Sequence, residues 1–403
     1  MEYPTVIRST MVLLFIFLSV ILLASCNAGE ASVGVNPRPL FAHAPASPIA
    51  MPGGPGNVVI GDMNKDGRPD LVVAVGRSHN ITVMLGQGKG RFAEATASRP
   101  TTPESPGEMV LGDLNGDSNL DLVYVSHDSY NATMLLGNGR GGLALAPNSP
   151  IVMKEGKHPH THGLALGDMN GDNKLDIVTV NNSDNDVSIA FGDGRGSFTR
   201  APTTFAVGPS PYPLALGDVN DDHQLDIIAT ATATGPARAQ QLPFSRALTL
   251  LLADGRSGFR PSQLPLRTGQ PWFVAIGDIN GDRKPDLVAT HHEQSALTVM
   301  LGNGGGVFSE PSESPFDLGH SAWQIVLADV NRDGKPDVIA AAGDGVRVML
   351  GDGQGGFRSA PNSPFVVGRG TWQLAVRDVN GDGKTDVVTA NSESDTISIL
   401  LGQ

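Results

Sequence analysis

Seven stretches of this chain carry oxygen ligands at a spacing suited to a hard cation, each reading Asp-x-Asn-x-Asp-x-x-x-Asp. The side chains are Asp62, Asn64, Asp66 and Asp70; Asp113, Asn115, Asp117 and Asp121; Asp168, Asn170, Asp172 and Asp176; Asp218, Asn220, Asp222 and Asp226; Asp278, Asn280, Asp282 and Asp286; Asp329, Asn331, Asp333 and Asp337; and Asp378, Asn380, Asp382 and Asp386. Calcium takes six to eight oxygens in a tolerant geometry. Side chains at loop positions 1, 3, 5 and 9, with the backbone carbonyl at 7, would supply them. Without a cation, three carboxylates on one tight turn repel one another. Magnesium demands a stricter octahedron, and zinc prefers His or Cys, which the loops lack apart from His223 at a non-ligand position. The expectation is one structural calcium per loop.

The charge agrees. The net charge is −13, and loop positions 1, 5 and 9 hold 21 of the 41 acidic residues. One divalent ion per loop would nearly cancel it. No Lys/Arg cluster suggests a nucleic-acid partner. The seven sites are not expected to be equal. Loop position 6 favours positive φ, which Gly tolerates best and Asn reasonably well. Gly67, Gly334 and Gly383 suit it, Ser118 and Asn173 are intermediate, and His223 and Arg283 are poorest.

Two further groups of side chains stand out. Lys157-His158-Pro159-His160-Thr161-His162 alternates histidines, and His291, His292 and His320 occupy corresponding positions in later units. Such residues can bind a transition metal, but are more often solvated loop residues. All three tryptophans, Trp272, Trp323 and Trp372, fall six residues before a loop's first aspartate. The equivalent positions elsewhere are Gly56, Gly107, His162 and Tyr212. No Gly-x-Ser-x-Gly, His-Glu-x-x-His or phosphate loop is present, which weighs against an enzyme.

These side chains need elements to hold them. The acidic loops recur at intervals of 51, 55, 50, 60, 51 and 49 residues, a repeat architecture. In the unit from Trp323 to Val367, an apolar strand, Gln324 to Ala328, precedes the loop. Strands Val338 to Ala341 and Val346 to Leu350 follow, and a fourth starts at Phe357 after a Gly-rich turn. Four short strands in a meander, seven times over, predict an all-β, seven-bladed β-propeller of four-stranded antiparallel blades. The last unit stops at Leu401-Gly402-Gln403 without its fourth strand. Phe41-Ala42-His43-Ala44-Pro45-Ala46-Ser47-Pro48 matches Phe357 to Pro364 and Leu143 to Pro150. The N-terminal segment should therefore supply that strand and close the ring.

The repeat resembles the FG-GAP/VCBS family, the type found in the propeller head of integrin α subunits. The resemblance covers residues 40 to 403 and rests on the strand, the acidic loop, and the Gly-x-Gly turn before Phe92, Phe198, Phe308 or Phe357. It implies that the acidic loops and the Gly-x-Gly turns share one face, and that partners usually bind the other. Trp272, Trp323, Trp372, Tyr212 and His162 would then ring a mouth. There they could stack on sugars or anchor a protein, although plugging gaps between blades is the favoured reading. The segment Thr232 to Arg246, the longest insertion, could overhang that mouth.

Upstream of the repeats, residues 1–25 read as a signal peptide and 26–39 as a flexible tether. Met11 to Leu23 is an apolar run too short for a confident membrane span. Leu23-Ala24-Ser25-Cys26 resembles the bacterial lipoprotein signal, with Cys26 the lipidated residue and the sole cysteine of the chain. The protein is thus expected to be exported and anchored at an outer membrane or cell surface, or else secreted, as a monomer touching membrane only through lipid. Three functions follow: a binding or adhesion module for an extracellular protein or glycan, which is favoured; a calcium-stabilised lectin; and a hydrolase or lyase with a site opposite the calcium loops.

Overall fold

The second strand of each repeat is apolar at nearly every position instead of alternating, and a computed structural model shows why. It describes residues 39–96, 100, 102–232, 246–255, 258–291, 294–343 and 345–403. Strands such as Asp70–Val75, Asp337–Ala342 and Asp386–Asn391 are buried along their whole length. Their two faces pack on different neighbours. Leu71, Val73 and Val75 join Val388, Ala390, Ile397 and Ile399 of the last blade. Val72 and Ala74, pointing the other way, join Met109, Leu122 and Tyr124 of the second. Each sheet is sandwiched between two others, so period-2 polarity disappears.

The chain folds into seven antiparallel sheets, each a meander of four strands in sequence order except the last. Their first strands are Pro55–Gly61, Met109–Gly112, Thr161–Gly167, Leu214–Gly217, Pro271–Gly277, Ala322–Ala328 and Thr371–Arg377. Each of these touches its counterpart in the next blade, and Pro55–Gly61 touches Thr371–Arg377, so they form a closed circle about the axis. The protein is a seven-bladed β-propeller.

Ring closure follows the sequence match. Phe41–His43 pairs antiparallel with Thr396–Gly402, Phe41 opposite Gly402 and His43 opposite Leu400. Ile49–Ala50 continues the pairing opposite Ile397 and Thr396. Phe41 is buried and meets Phe365 of the sixth blade edge-on, with ring centroids 5.1 Å apart. Fourth strands are commonly split in two. In four blades the break is a Ser-Pro pair with a cis peptide, at Ser47, Ser149, Ser314 and Ser363. The serine Oγ accepts a third-strand N–H in each: Ile399, Met134, Val299 and Val348, at 2.8–3.1 Å. The hydroxyl stands in for the backbone carbonyl that an unbroken fourth strand would offer to that N–H. The signal peptide, the tether up to residue 38 and most of the insertion, residues 233–245, lie outside the described residues.

Candidate functional site: acidic loops on one face, an aromatic arc on the other

The acidic loops join first to second strands, and the Gly-rich turns join third to fourth. In a four-stranded meander both lie at the same end. Backbone bonds tie them together across blades: Gly141 N–H donates to the Met63 carbonyl, Gly196 to Leu114 and Gly306 to Val219, each at 3.0 Å.

All seven loops have one internal geometry. The position-1 carboxylate accepts the position-6 N–H at 2.6–2.8 Å. The position-3 Asn Oδ1 accepts the position-5 N–H at 2.7–3.1 Å. The position-5 Oδ1 accepts the position-7 N–H at 2.7–3.1 Å. Position 6 has positive φ in every loop, including Ser118 at 65°, His223 at 65° and Arg283 at 66°. Position 4 is also left-handed throughout, even at Lys65 (60°), Asp221 (65°) and Arg332 (63°). Two left-handed residues flanking position 5 curl the loop so that the side chains at 1, 3 and 5 turn inward. Sequence reasoning identified the first and missed the second.

Position 9 differs in kind. Asp70, Asp121, Asp176, Asp226, Asp286, Asp337 and Asp386 are fully buried at the start of the second strand. One oxygen of each accepts the position-2 N–H, at 2.8–3.0 Å. The other accepts the N–H of a residue at or near the end of the third strand, Gly86, Gly137, Gly192, Ala253, Gly302, Gly351 or Gly402, at 2.7–2.9 Å. The carboxylate thus latches the loop to the third strand. The recurrent glycine has a steric cause: a Cβ on Gly137 would sit 2.0 Å from the Leu120 carbonyl oxygen, and one on Gly351 would sit 2.2 Å from that of Pro336. Burial raises the pKa of these aspartates, to about 6 at Asp176, Asp226, Asp337 and Asp386, with the aspartates at positions 1 and 5 adding repulsion. The donor set of every loop is oxygen alone: carboxylates at positions 1, 5 and 9, an amide at 3 and a backbone carbonyl at 7. The residues therefore fit a hard divalent cation.

At the opposite end of the first strands, the aromatic positions converge. In four blades a β-bulge falls on this register: the extra residue is Gly56, Trp272, Trp323 or Trp372. In the third blade it falls one residue later, at Gly163. A bulge re-aims a side chain out of the strand's alternation. The rings then touch across neighbouring blades. Centroid separations are 4.0 Å for His162 and Tyr212, 4.2 Å for Tyr212 and Trp272, 4.9 Å for Trp272 and Trp323, and 4.2 Å for Trp323 and Trp372. Trp272 is buried, while Tyr212, Trp323 and Trp372 are half-buried. The Trp372 indole N–H donates to Ser392 Oγ at 2.8 Å.

The second blade has Gly107 in this register, and His127 from the turn after its second strand lies there instead. A Cβ on Gly107 would stand 3.3 Å from His127 Nε2, and His127 lies 4.2 Å from the His162 ring. Six blades thus give an arc of rings. It is interrupted at the first blade, where a Cβ on Gly56 would meet nothing within 4 Å. His127 was not singled out by sequence because it belongs to a different loop of the repeat.

Among the described residues, two groups of His and acidic side chains bring their ligand atoms within 4.8 Å of one another: Glu108, His127 and His162; and Asp218, Asp221 and His223. The second belongs to the fourth acidic loop. The later histidines do not join the first group. His291 is buried within its own blade, bonded to Thr298 Oγ1 at 2.7 Å, and burial lowers its pKa to about 4. His320 Nδ1 lies 2.9 Å from the Ser321 carbonyl, and His292 lies outside the described residues.

Comparison with solved structures finds the same fold in distant sequences. BBS1N, in a complex with ARL6DN soaked with lead, superposes with a TM-score of 0.61 at 12% identity, covering 91% of this chain and 98% of that one. An Agrocybe aegerita lectin, described as recognising non-reducing terminal N-acetylglucosamine, gives 0.52 at 17% identity, covering 77% and 80%. A putative 6-phosphogluconolactonase from Bacteroides uniformis gives 0.56 at 11%, covering 75% and 83%. No curated protein matches the sequence. The family model for the FG-GAP-like repeat matches residues 62–124, 113–179, 168–229, 278–340 and 329–389, more than half of the chain. Each match begins at the first aspartate of an acidic loop, and the chain belongs to the FG-GAP-like repeat family.

Proposed function

We propose that this protein is an exported, calcium-stabilised propeller that binds an extracellular protein through the face opposite its acidic loops. The observation that carries this is the arc of contacting rings from His127 to Trp372, in which Tyr212, Trp323 and Trp372 stay half-buried, open at Gly56. Large aromatic side chains at a concave, partly desolvated site are what protein hot spots are made of. BBS1N was solved with a bound partner, so the fold is compatible with this role.

Calcium is the cation favoured for the seven loops. The donors are all oxygen, the turns carry three carboxylates each, and nitrogen and sulfur are missing from the ligand positions. Aspartates at positions 1, 5 and 9, the asparagine at 3 and the carbonyl at 7 would hold it. When bound it supplies charge neutralisation and a clamp between the first two strands. The chain's own residues do the rest, since the position-9 carboxylate already bonds the loop to the third strand.

A lipid anchor at Cys26 fits the same picture. Phe41 pairs at the acidic-loop end of the last blade, and the Gln403 N–H donates to the Leu40 carbonyl at 3.0 Å. The chain therefore joins the ring on the acidic-loop face, and a tether would leave the aromatic face outward.

A second reading, glycan binding, draws on the same aromatic side chains and on a cleft of about 170 Å³ between the first and last blades, lined by Met51, Asn80, Thr82, Met84 and Glu94. One experiment separates the two. The full-length protein, immobilised in calcium, is exposed to extracellular protein and, in parallel, to a glycan array. The protein reading expects a captured partner that Trp323→Ala and Trp372→Ala release. Undiminished capture by both variants refutes it, and glycan hits abolished by those variants favour the second.

A further inference from the structure

We infer that Glu108, His127 and His162 form a binding site for a first-row divalent transition cation, separate from the calcium loops and placed at one end of the aromatic arc. Three segments build it. Glu108 lies just before the first strand of the second blade, His127 in the turn after that blade's second strand, and His162 in the first strand of the third blade, with His160 just before it.

The spacing is that of ligands around a metal. Glu108 Oε1 lies 3.5 Å from His162 Nδ1, and Oε2 lies 3.5 Å from His127 Nε2. Neither distance makes a good hydrogen bond, and Glu108 Oε2 is a buried oxygen with no hydrogen-bond partner. A zinc ion at 2.0–2.1 Å from its ligands would hold adjacent donors about 3.3 Å apart in a tetrahedron. Each imidazole already stands near that separation from one Glu108 oxygen, and one ligand atom from each of the three residues lies within 4.8 Å of the other two.

The protonation pattern fits as well. His162 Nε2 lies 2.8 Å from His160 Nε2, so one of these nitrogens carries the shared proton. With the proton on His162, its Nδ1 presents a lone pair to the Glu108 carboxylate, an unfavourable contact unless a cation lies between them. His160 would then accept the His162 N–H and fix the tautomer, a common arrangement behind a metal-bound histidine.

Two imidazoles and one carboxylate select against calcium and for zinc-like ions. Three protein ligands leave a further coordination position for water or for an oxygen of whatever docks on the arc. His162 is 5% exposed and stacks on Tyr212, while His127 is 48% exposed. The site thus combines an anchored ligand with an accessible one.

The test is calorimetric titration of zinc chloride into the full-length protein in excess calcium. Wild type should bind one zinc ion that Glu108→Gln and His127→Asn each weaken by about tenfold or more. His127 is surface-exposed, so its variant tests the site even if Glu108→Gln disturbs folding. His223→Asn, which disrupts the other His and acidic group, should leave that zinc in place. Cobalt substituted for zinc should show the visible absorption of a tetrahedral site, lost in His127→Asn. Absence of zinc binding by wild type overturns the inference. So does zinc binding that survives both Glu108→Gln and His127→Asn, or that only His223→Asn removes.

Discussion

Asp337 and Asp333 belong to the same acidic loop, and both would be ligands of one ion, yet their removal should have very different costs without that ion. Asp337 is fully buried and accepts the Val330 N–H at 3.0 Å and the Gly351 N–H at 2.9 Å. Asp337→Ala strands two buried donors, at about 1–3 kcal/mol each, or about 2–6 kcal/mol together. Asp333 sits on the exposed part of the loop and accepts the Lys335 N–H at 3.0 Å. Water can replace that bond, so Asp333→Ala should cost only about 0.5–1.5 kcal/mol. At roughly 2.1 cal/mol/K per residue, a domain of this size has an unfolding entropy of about 0.8 kcal/mol/K if it melts in one step. The expected drops in Tm are about 3–8 °C for Asp337→Ala and about 1–2 °C for Asp333→Ala. Asp337→Asn should fall between wild type and the alanine variant, because its amide keeps one acceptor and turns a second donor toward an N–H. The assay is thermal unfolding in excess chelator and again in millimolar calcium. In calcium both variants should also lose the stabilisation an ion gives the native state, about 2.7 kcal/mol per site at a hundredfold excess over Kd. Equal melting of the two alanine variants in chelator would refute the latch. Identical curves for wild type in chelator and in calcium would refute a stabilising ion.

Ring closure predicts that Phe41→Ala lowers stability by about 3–5 kcal/mol, read by urea unfolding, since Phe41 is buried against Phe365; a variant lacking residues 41–50 that unfolds like wild type would defeat the closure. In chelator, stability should rise as pH falls from about 7 to about 5. Asp176, Asp226, Asp337 and Asp386 have folded pKa values raised to about 6, above an unfolded value of about 3.9. In that window the folded state binds more protons than the unfolded one; a Tm that falls steadily from pH 7 to 5 in chelator would contradict the shift. If Cys26 carries a lipid, Cys26→Ser should move the protein from the membrane to the soluble fraction. Single cysteines added to an otherwise cysteine-free, re-anchored chain should label faster near Trp323 than near Asp333, and the reverse order would place the aromatic face inward.

The repeat, the blade count, the strand order, the closing N-terminal strand and the left-handed backbone at loop position 6 could all be read from the sequence. Each is a local or periodic property: a turn that curls needs Asp and Asn at fixed spacing, and a missing strand leaves a matching text at the other end of the chain. Even the left-handed backbone at His223 and Arg283 follows from loop position despite side chains that disfavour it. What escaped depends on which blades become neighbours. The separate role of the position-9 aspartates needs the third strand beside them, 16 residues later in most blades. The convergence of the tryptophans with Tyr212 and His162 needs the bulges that turn them out of their strands. His127 and Glu108 carry no mark in the text, because their meeting with His162 is set by two different loops of one blade packing against the next. Spacing along the chain specifies the repeat; the meeting of chemistry-bearing side chains from different blades arises only when the ring closes.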